Sequence, residues 1–309
     1  MYPVCAGGRW GAIDKTGEEI IKPQFDSLGV LNEGLAAFER NGTHGIIDIC
    51  GNVICEPAYS EIRPFKEGRA VVKLNGRYGY IDHTGELVIP CRFFSASEFS
   101  CALAAVQETM MSKFGYIDSQ GNQRIEPQFL TAWRFSENIA AVSTQRAWGF
   151  IDIAGTFLIQ PRFSLAYSFS EGLAAVSEGR AASTYGFIDS HGAYKIRPGF
   201  NGSDIRFVEG FAAVWKKQGF GFIDHDAHLA IPYTYYSAGH FSCGRSLVGM
   251  EVNGKILYGF INQLGDLVIE PQFTAARDFR DGLAVAYLGE EWGWIDRNGE
   301  FVWRCDRAQ

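Results

Sequence analysis

The segment His225-Asp226-Ala227-His228 brings two imidazoles and a carboxylate together within four residues, and such groups ligate zinc. A short turn, however, does not set both imidazoles on one side as a helix would, and the neighbouring sequence offers no third ligand, so no metal site is expected. His44 stands at a position that other segments fill with an aromatic ring, which makes it a ring substitute rather than an acid-base group. The seven cysteines, Cys5, Cys50, Cys55, Cys91, Cys101, Cys243 and Cys305, include no Cys-x-x-Cys pair and read as reduced thiols. Gly-x-Ser-x-Gly, His-Glu-x-x-His and a phosphate-cradling glycine loop are all missing from the chain. The expectation is a protein that is not an enzyme, with no catalytic residue and no cofactor.

Composition narrows the partners. The 309 residues carry 28 basic and 35 acidic side chains, a net charge of −7, whereas nucleic acids and anionic membranes select clustered Lys and Arg. No stretch approaches the roughly 20 apolar residues of a membrane span, and Met1–Trp10 lacks the layout of a signal peptide. A cytoplasmic protein that binds neither nucleic acid nor membrane is expected. With 47% hydrophobic residues the chain can fill a large core.

Along the chain an aromatic-Gly-x-Ile-Asp phrase recurs, as in Trp10-Gly11-Ala12-Ile13-Asp14, Tyr78-Gly79-Tyr80-Ile81-Asp82 and Trp148-Gly149-Phe150-Ile151-Asp152. Its glycines are Gly11, Gly45, Gly79, Gly115, Gly149, Gly186, Gly221, Gly259 and Gly293, spaced by 34 to 38 residues. Such a period identifies a repeat architecture, here a single array over 1–309. Three residues after the Asp a second Gly follows in eight units, with Ala227 in the seventh. A Pro-x-aromatic phrase comes next (Pro23-Gln24-Phe25, Pro127-Gln128-Phe129), then a phrase such as Phe169-Ser170-Glu171-Gly172-Leu173-Ala174-Ala175-Val176. Units three and seven share further details, among them Phe99-Ser100-Cys101 and Phe241-Ser242-Cys243, which points to duplication of a four-unit block.

These phrases resemble those of the bacterial WG-repeat family, and the resemblance covers essentially the whole chain. Departures are the other rings and His44 at the Trp position, and Asn262 in place of one Asp. The resemblance implies a repeat module and brings no catalytic residues with it.

Each unit reads as three short strands: the Leu-Ala-Ala-Val run (A), the Trp-Gly-Phe-Ile-Asp run (B) and the apolar run before the Pro (C). Asp and Gly at the ends of Asp14-Lys15-Thr16-Gly17 suit a tight B-to-C turn, which makes the recurring Asp a turn former. Strand B is apolar on both faces, so each three-stranded meander must be buried between its neighbours. The expected fold is all-β, nine three-stranded meanders stacked face to face. An open superhelical, solenoid-like array is preferred to a closed propeller-like ring, because no unit is split between the termini. The rings Trp292, Trp294 and Trp303 of the last unit argue the other way, since an open array ends in a polar cap.

Almost all length variation falls in the A-to-B turns, the mark of an exposed edge. Three lengthened turns, Gln107–Lys113, Ser177–Thr184 and Gly249–Leu257, carry three of the four Met residues. The candidate interaction residues are Met110, Met111, Lys113, Glu178, Arg180, Met250, Glu251 and Lys255. The function expected is a non-catalytic scaffold for an unknown protein partner; the alternative is carbohydrate binding by exposed rings. Cys101 and Cys243 take a position that is acidic in six other units, and an acid-tolerant position is normally solvated, so these two thiols are expected to be the most accessible.

Overall fold

The computed structural model describes residues 1–145, 147–179, 184–202 and 205–305. Among the described residues there is no helix, and the strands form nine antiparallel sheets in chain order. The sheets group into two compact units, Met1–Arg162 with sheets one to five and Phe163–Gln309 with sheets six to nine.

The second sheet shows the plan: Ser27–Leu28, Leu35–Arg40, Thr43–Asp48 and Val53–Tyr59 lie side by side in that order. The last three are the expected A, B and C strands. The first is a two-residue lead-in strand that period-two patterning is too coarse to find. Seven of the nine sheets therefore have four strands, which corrects the three-stranded meander; sheets one and seven have three. Four-stranded antiparallel sheets in succession are the blades of a β-propeller, so the modules are not those of the open superhelical array preferred from the sequence. A split unit is only one way for such a fold to be built, and its absence was a poor guide.

Pairing explains the motif glycine. In sheet three Tyr78 lies opposite Phe93 but Tyr80 lies opposite Ile89, so strand C carries a bulge around its proline. The bulged backbone leans on Gly79, where a Cβ would sit 2.5 Å from the Ile89 carbonyl oxygen and 2.8 Å from the Cys91 nitrogen. Only glycine fits there.

Within each unit the core lies between consecutive sheets, with strand B buried on both faces as expected. Tyr80 of sheet three packs at 4.9 Å on Phe99, which precedes strand A of sheet four, and Tyr116 of sheet four packs at 4.9 Å on Phe135 of sheet five. The same contact recurs in the second unit, at 4.8 Å between Phe187 and Phe207 and between Phe260 and Phe279. The small Ala104 and Val106 of the facing A strand fill the space beside Tyr80. The two most deeply buried phenols keep partners: the Tyr80 hydroxyl donates to the Ser97 carbonyl and the Tyr116 hydroxyl to that of Trp133, both at 2.8 Å. Burial pushes both phenols above their ordinary pKa.

Candidate functional site

Each sheet has two ends. One holds the B-to-C turn and the two-residue turn that leads into strand A; the other holds the A-to-B turn and the connection to the next sheet.

At the first end the recurring Asp is consumed by structure. In all nine turns its side-chain oxygen accepts the N–H groups two and four residues on; Asp118, for example, accepts from Gln120 at 3.0 Å and Asn122 at 2.9 Å. Asn262 does the same work at 2.9 Å, which explains why the substitution is tolerated. In Asp14 the Thr16 hydroxyl, together with backbone N–H groups, holds the carboxyl below its ordinary pKa, and Asn52 does so for Asp48.

The acid of the Glu-Gly phrase also has a partner. Asn32 and Leu35 close a two-residue hairpin turn in which Glu33 and Gly34 both have positive φ, 50° and 84°. From there the Glu33 carboxylate accepts the N–H groups of Glu67 at 2.8 Å and Gly68 at 3.0 Å, in the same turn of the next sheet. Glu67 repeats this toward Cys101 and Ala102, both at 2.8 Å; in the second unit Glu171 reaches Gly210 at 3.0 Å and Glu209 reaches Gly244 at 2.9 Å. The acid column is thus an exposed position, as expected, and in these four cases also a staple between sheets. Two staples carry a histidine: His83 lies 3.1 Å from Glu33 and stacks on Phe65, and His225 lies 3.4 Å from Glu171 and stacks on Phe207.

The cysteines follow from this geometry. Cys101 and Cys243 sit at the staple position and are half-buried, whereas Cys50, in a B-to-C turn, is exposed, which reverses the expected order of accessibility.

The metal question also changes form. His225 is drawn to Glu171 and away from His228, so the two imidazoles do not converge. The turn residue Asp224 instead joins Asp226 and His228, with ligand atoms within 4.8 Å of one another. Asp224 Oδ1 is already held by the N–H groups of Asp226 at 3.0 Å and His228 at 2.8 Å, the arrangement found in every other B-to-C turn. That cluster needs no ion to explain it.

At the opposite end, Met110 and Met111 are 72% and 93% exposed at the tip of the fourth sheet's A-to-B turn. The turn is ordered locally: the Ser112 hydroxyl donates to the Thr109 carbonyl at 2.9 Å, and the Thr109 N–H donates back to that hydroxyl at 3.0 Å. Lys113 is exposed beside them. Arg77, in the corresponding turn of sheet three, donates to the Glu108 carbonyl at 2.7 Å and ties the two turns together. Phe94 and Leu130 are exposed at the same end, on the connections into sheets four and five, and Trp133 is exposed just past the lead-in strand Thr131–Ala132 of sheet five. Trp133, 46% exposed, stacks on Trp148 at 6.1 Å with 22° between the planes. Sequence reasoning missed these three because they belong to strand-like runs whose other residues are core.

Of the other expected turns, Gly249–Leu257 is not a projecting loop. Strands Arg245–Val252 and Lys255–Ile261 continue through it, Met250 opposite Leu257 and Glu251 opposite Ile256, and close on Asn253-Gly254. Met250 folds back onto the cluster around Phe222 and Val248, while Glu251 and Lys255 are exposed near the hairpin tip. Glu178 is exposed; Arg180 lies outside the described residues.

Seven segments of the chain, 10–43, 45–78, 78–109, 114–144, 148–180, 220–255 and 258–291, match the model of the WG containing repeat. The chain belongs to the WG-repeat family. Among curated proteins none matches this member of the family. Among solved structures, a eukaryotic initiation factor is similar at 10% identity with a TM-score of 0.59, covering 98% of this chain and 94% of that one. That likeness shows the fold of these WG repeats, a nine-bladed β-propeller, and overturns the open superhelical array. Kluyveromyces lactis Hsv2p (9% identity, TM-score 0.46, 90% of this chain and 97% of that) and apo AztD from Citrobacter koseri (11%, 0.41, 90% and 92%) are more distant in fold.

Proposed function

We propose that this WG-repeat propeller is a non-catalytic binding protein whose partner is another protein, held at the end of the sheets that carries the A-to-B turns. The observation behind the reading is the pair Met110 and Met111, exposed on a turn whose own hydrogen bonds do not need them. A solvated turn has no folding reason to display two adjacent Met side chains, whereas thioethers adapt to partner surfaces. Carbohydrate binding is the second reading, favoured by the exposed face of Trp133 over Trp148.

The test replaces Met110 and Met111 by Ser in the full chain and compares captured proteins after crosslinking, with a glycan array run in parallel on the parent and on Trp133→Ala. Loss of a specific captured protein with an unchanged melting curve supports the protein reading. Glycan binding that needs Trp133, with capture indifferent to the Met pair, favours the carbohydrate reading.

A further inference from the structure

We infer that the apolar edge of sheets three to five takes a short acidic peptide segment of a partner protein, its bulky apolar side chains on Phe94, Met110, Met111, Leu130 and Trp133 and its carboxylates on the cations at the rim. This rests on the protein-binding reading and adds the chemistry of what is bound. Hydrogen bonds join Phe94 to the Met turn: the Phe94 N–H donates to the Gln107 carbonyl at 2.8 Å, and the Gln107 side chain donates to the Ser112 carbonyl at 2.6 Å, at the foot of that turn. Leu130 follows Phe129, which pairs with Phe114 just past that turn, so it emerges at the same end.

Charge then selects the partner. Glu61 is bound by Arg63 at 2.7 Å and Glu98 by Arg134 at 3.1 Å, so neither carboxylate is left to set the sign of the rim. Among the described residues, the remaining charges in and beside the A-to-B turns of sheets three and four are Lys73, Arg77 and Lys113 against Glu108, a local balance of 3 − 1 = +2 on a chain whose net charge is −7. Lys73 lies over the Tyr78 ring at 4.9 Å, and Arg77 is held by the Glu108 carbonyl, so both cations are positioned in advance at the rim. Fixed cations beside exposed apolar side chains complement a segment with interleaved acidic and bulky apolar residues, and a basic segment would meet like charge.

A random 12-residue peptide library displayed on phage, selected against the full chain, tests this. The expected result is enrichment of peptides that combine Asp or Glu with Leu, Phe, Met or Trp. A synthetic peptide of the enriched sequence should bind at least about tenfold more weakly to Met110→Ser/Met111→Ser and to Arg77→Glu/Lys113→Glu, both variants melting like the parent, and more weakly as salt rises. Basic or uncharged peptides that still require the Met pair would overturn the acidic segment and leave the binding edge standing. No enrichment, or enrichment indifferent to the Met pair, would overturn both.

Discussion

Glu33 Oε1 accepts the backbone N–H of Glu67 at 2.8 Å, so that one repeat's acidic turn residue is held by the acidic turn residue of the repeat before it. The relationship accounts for an odd choice of residue. Glu at φ +50° pays a left-handed cost that Asn or Gly would avoid, and neither of those could reach the next sheet with a carboxylate.

The staple at Glu67 offers a sharp test of that account. Glu67 has φ +52° and accepts the N–H groups of Cys101 and Ala102. If backbone conformation alone mattered, Glu67→Asn would raise the melting temperature. Loss of two charge-assisted bonds at an exposed position should instead lower stability by about 1 kcal/mol, measured by chemical denaturation. A more stable Glu67→Asn protein would refute the staple.

Acid should loosen this end of the sheets whose turn carboxylates are held below their ordinary pKa, those of Asp14, Asp48, Asp82, Asp118, Asp189 and Asp224. Burial works to raise Glu33, but the N–H groups of Gly68 and Glu67 and the His83 ring outweigh it and hold its pKa low; the Thr84 hydroxyl does the same for Asp82. Because these folded-state values lie below the unfolded ones, the stabilisation is fully present above the ordinary carboxylate range near about 4 and is lost as pH falls through the depressed values. Melting temperature should be insensitive to these groups between neutral pH and about 5, then fall. Asn262 shows that an amide can make the two turn bonds, so Asp118→Asn should keep neutral-pH stability and soften the acid decline.

The strands and Asp turns were legible in the sequence because each rests on local chemistry: two-faced apolar runs, and an Asp with a Gly three residues on. What escaped had no local signal. The lead-in strands, such as Ser27–Leu28, are two residues long, shorter than any alternation can reveal. The staple escaped because these acids are exposed, as an acid-tolerant position suggests, and the N–H groups they bind lie 34 to 35 residues away. The exposed apolar edge escaped because Phe94, Leu130 and Trp133 each stand next to residues that are core, and hydrophobic type alone does not tell the two apart.

Thiol labelling of the native protein checks the corrected register. Cys50 should react first, being exposed in a turn, and Cys55 and Cys91 last, since burial pushes both thiols up and leaves little thiolate. Peptide mass mapping after brief alkylation reads the order; Cys101 or Cys243 ahead of Cys50 would mean that the staple turns open in solution.

Ala227 provides a gain-of-stability prediction. It takes the turn position held by Gly in the other eight units, at φ +64°, where a Cβ is strained. Ala227→Gly should stabilise by roughly 0.5 to 1 kcal/mol through relief of that strain, less a small loss of the packing that Ala227 makes against the cluster around Ile196. A lower melting temperature would show that this packing outweighs the backbone.

The two long A-to-B turns that are fully described should respond to shortening in opposite ways. In Gln107–Lys113 the tip residues Met110 and Met111 are exposed and pack on nothing that the fold needs, so removing Thr109–Met111 and rejoining the strands should leave stability within about 0.5 kcal/mol. Gly249–Leu257 has the same look in sequence but is a paired ladder, with Met250 in the core cluster beside Phe222 and Val248. Cutting it to the spacing of its neighbours deletes cross-strand bonds and uncovers that cluster, and truncating a half-buried Met costs about 1 to 3 kcal/mol by itself. Denaturation of the two shortened proteins side by side decides the matter. Equal stability would mean that the ladder adds nothing and that Met250 is as free for a partner as Met111.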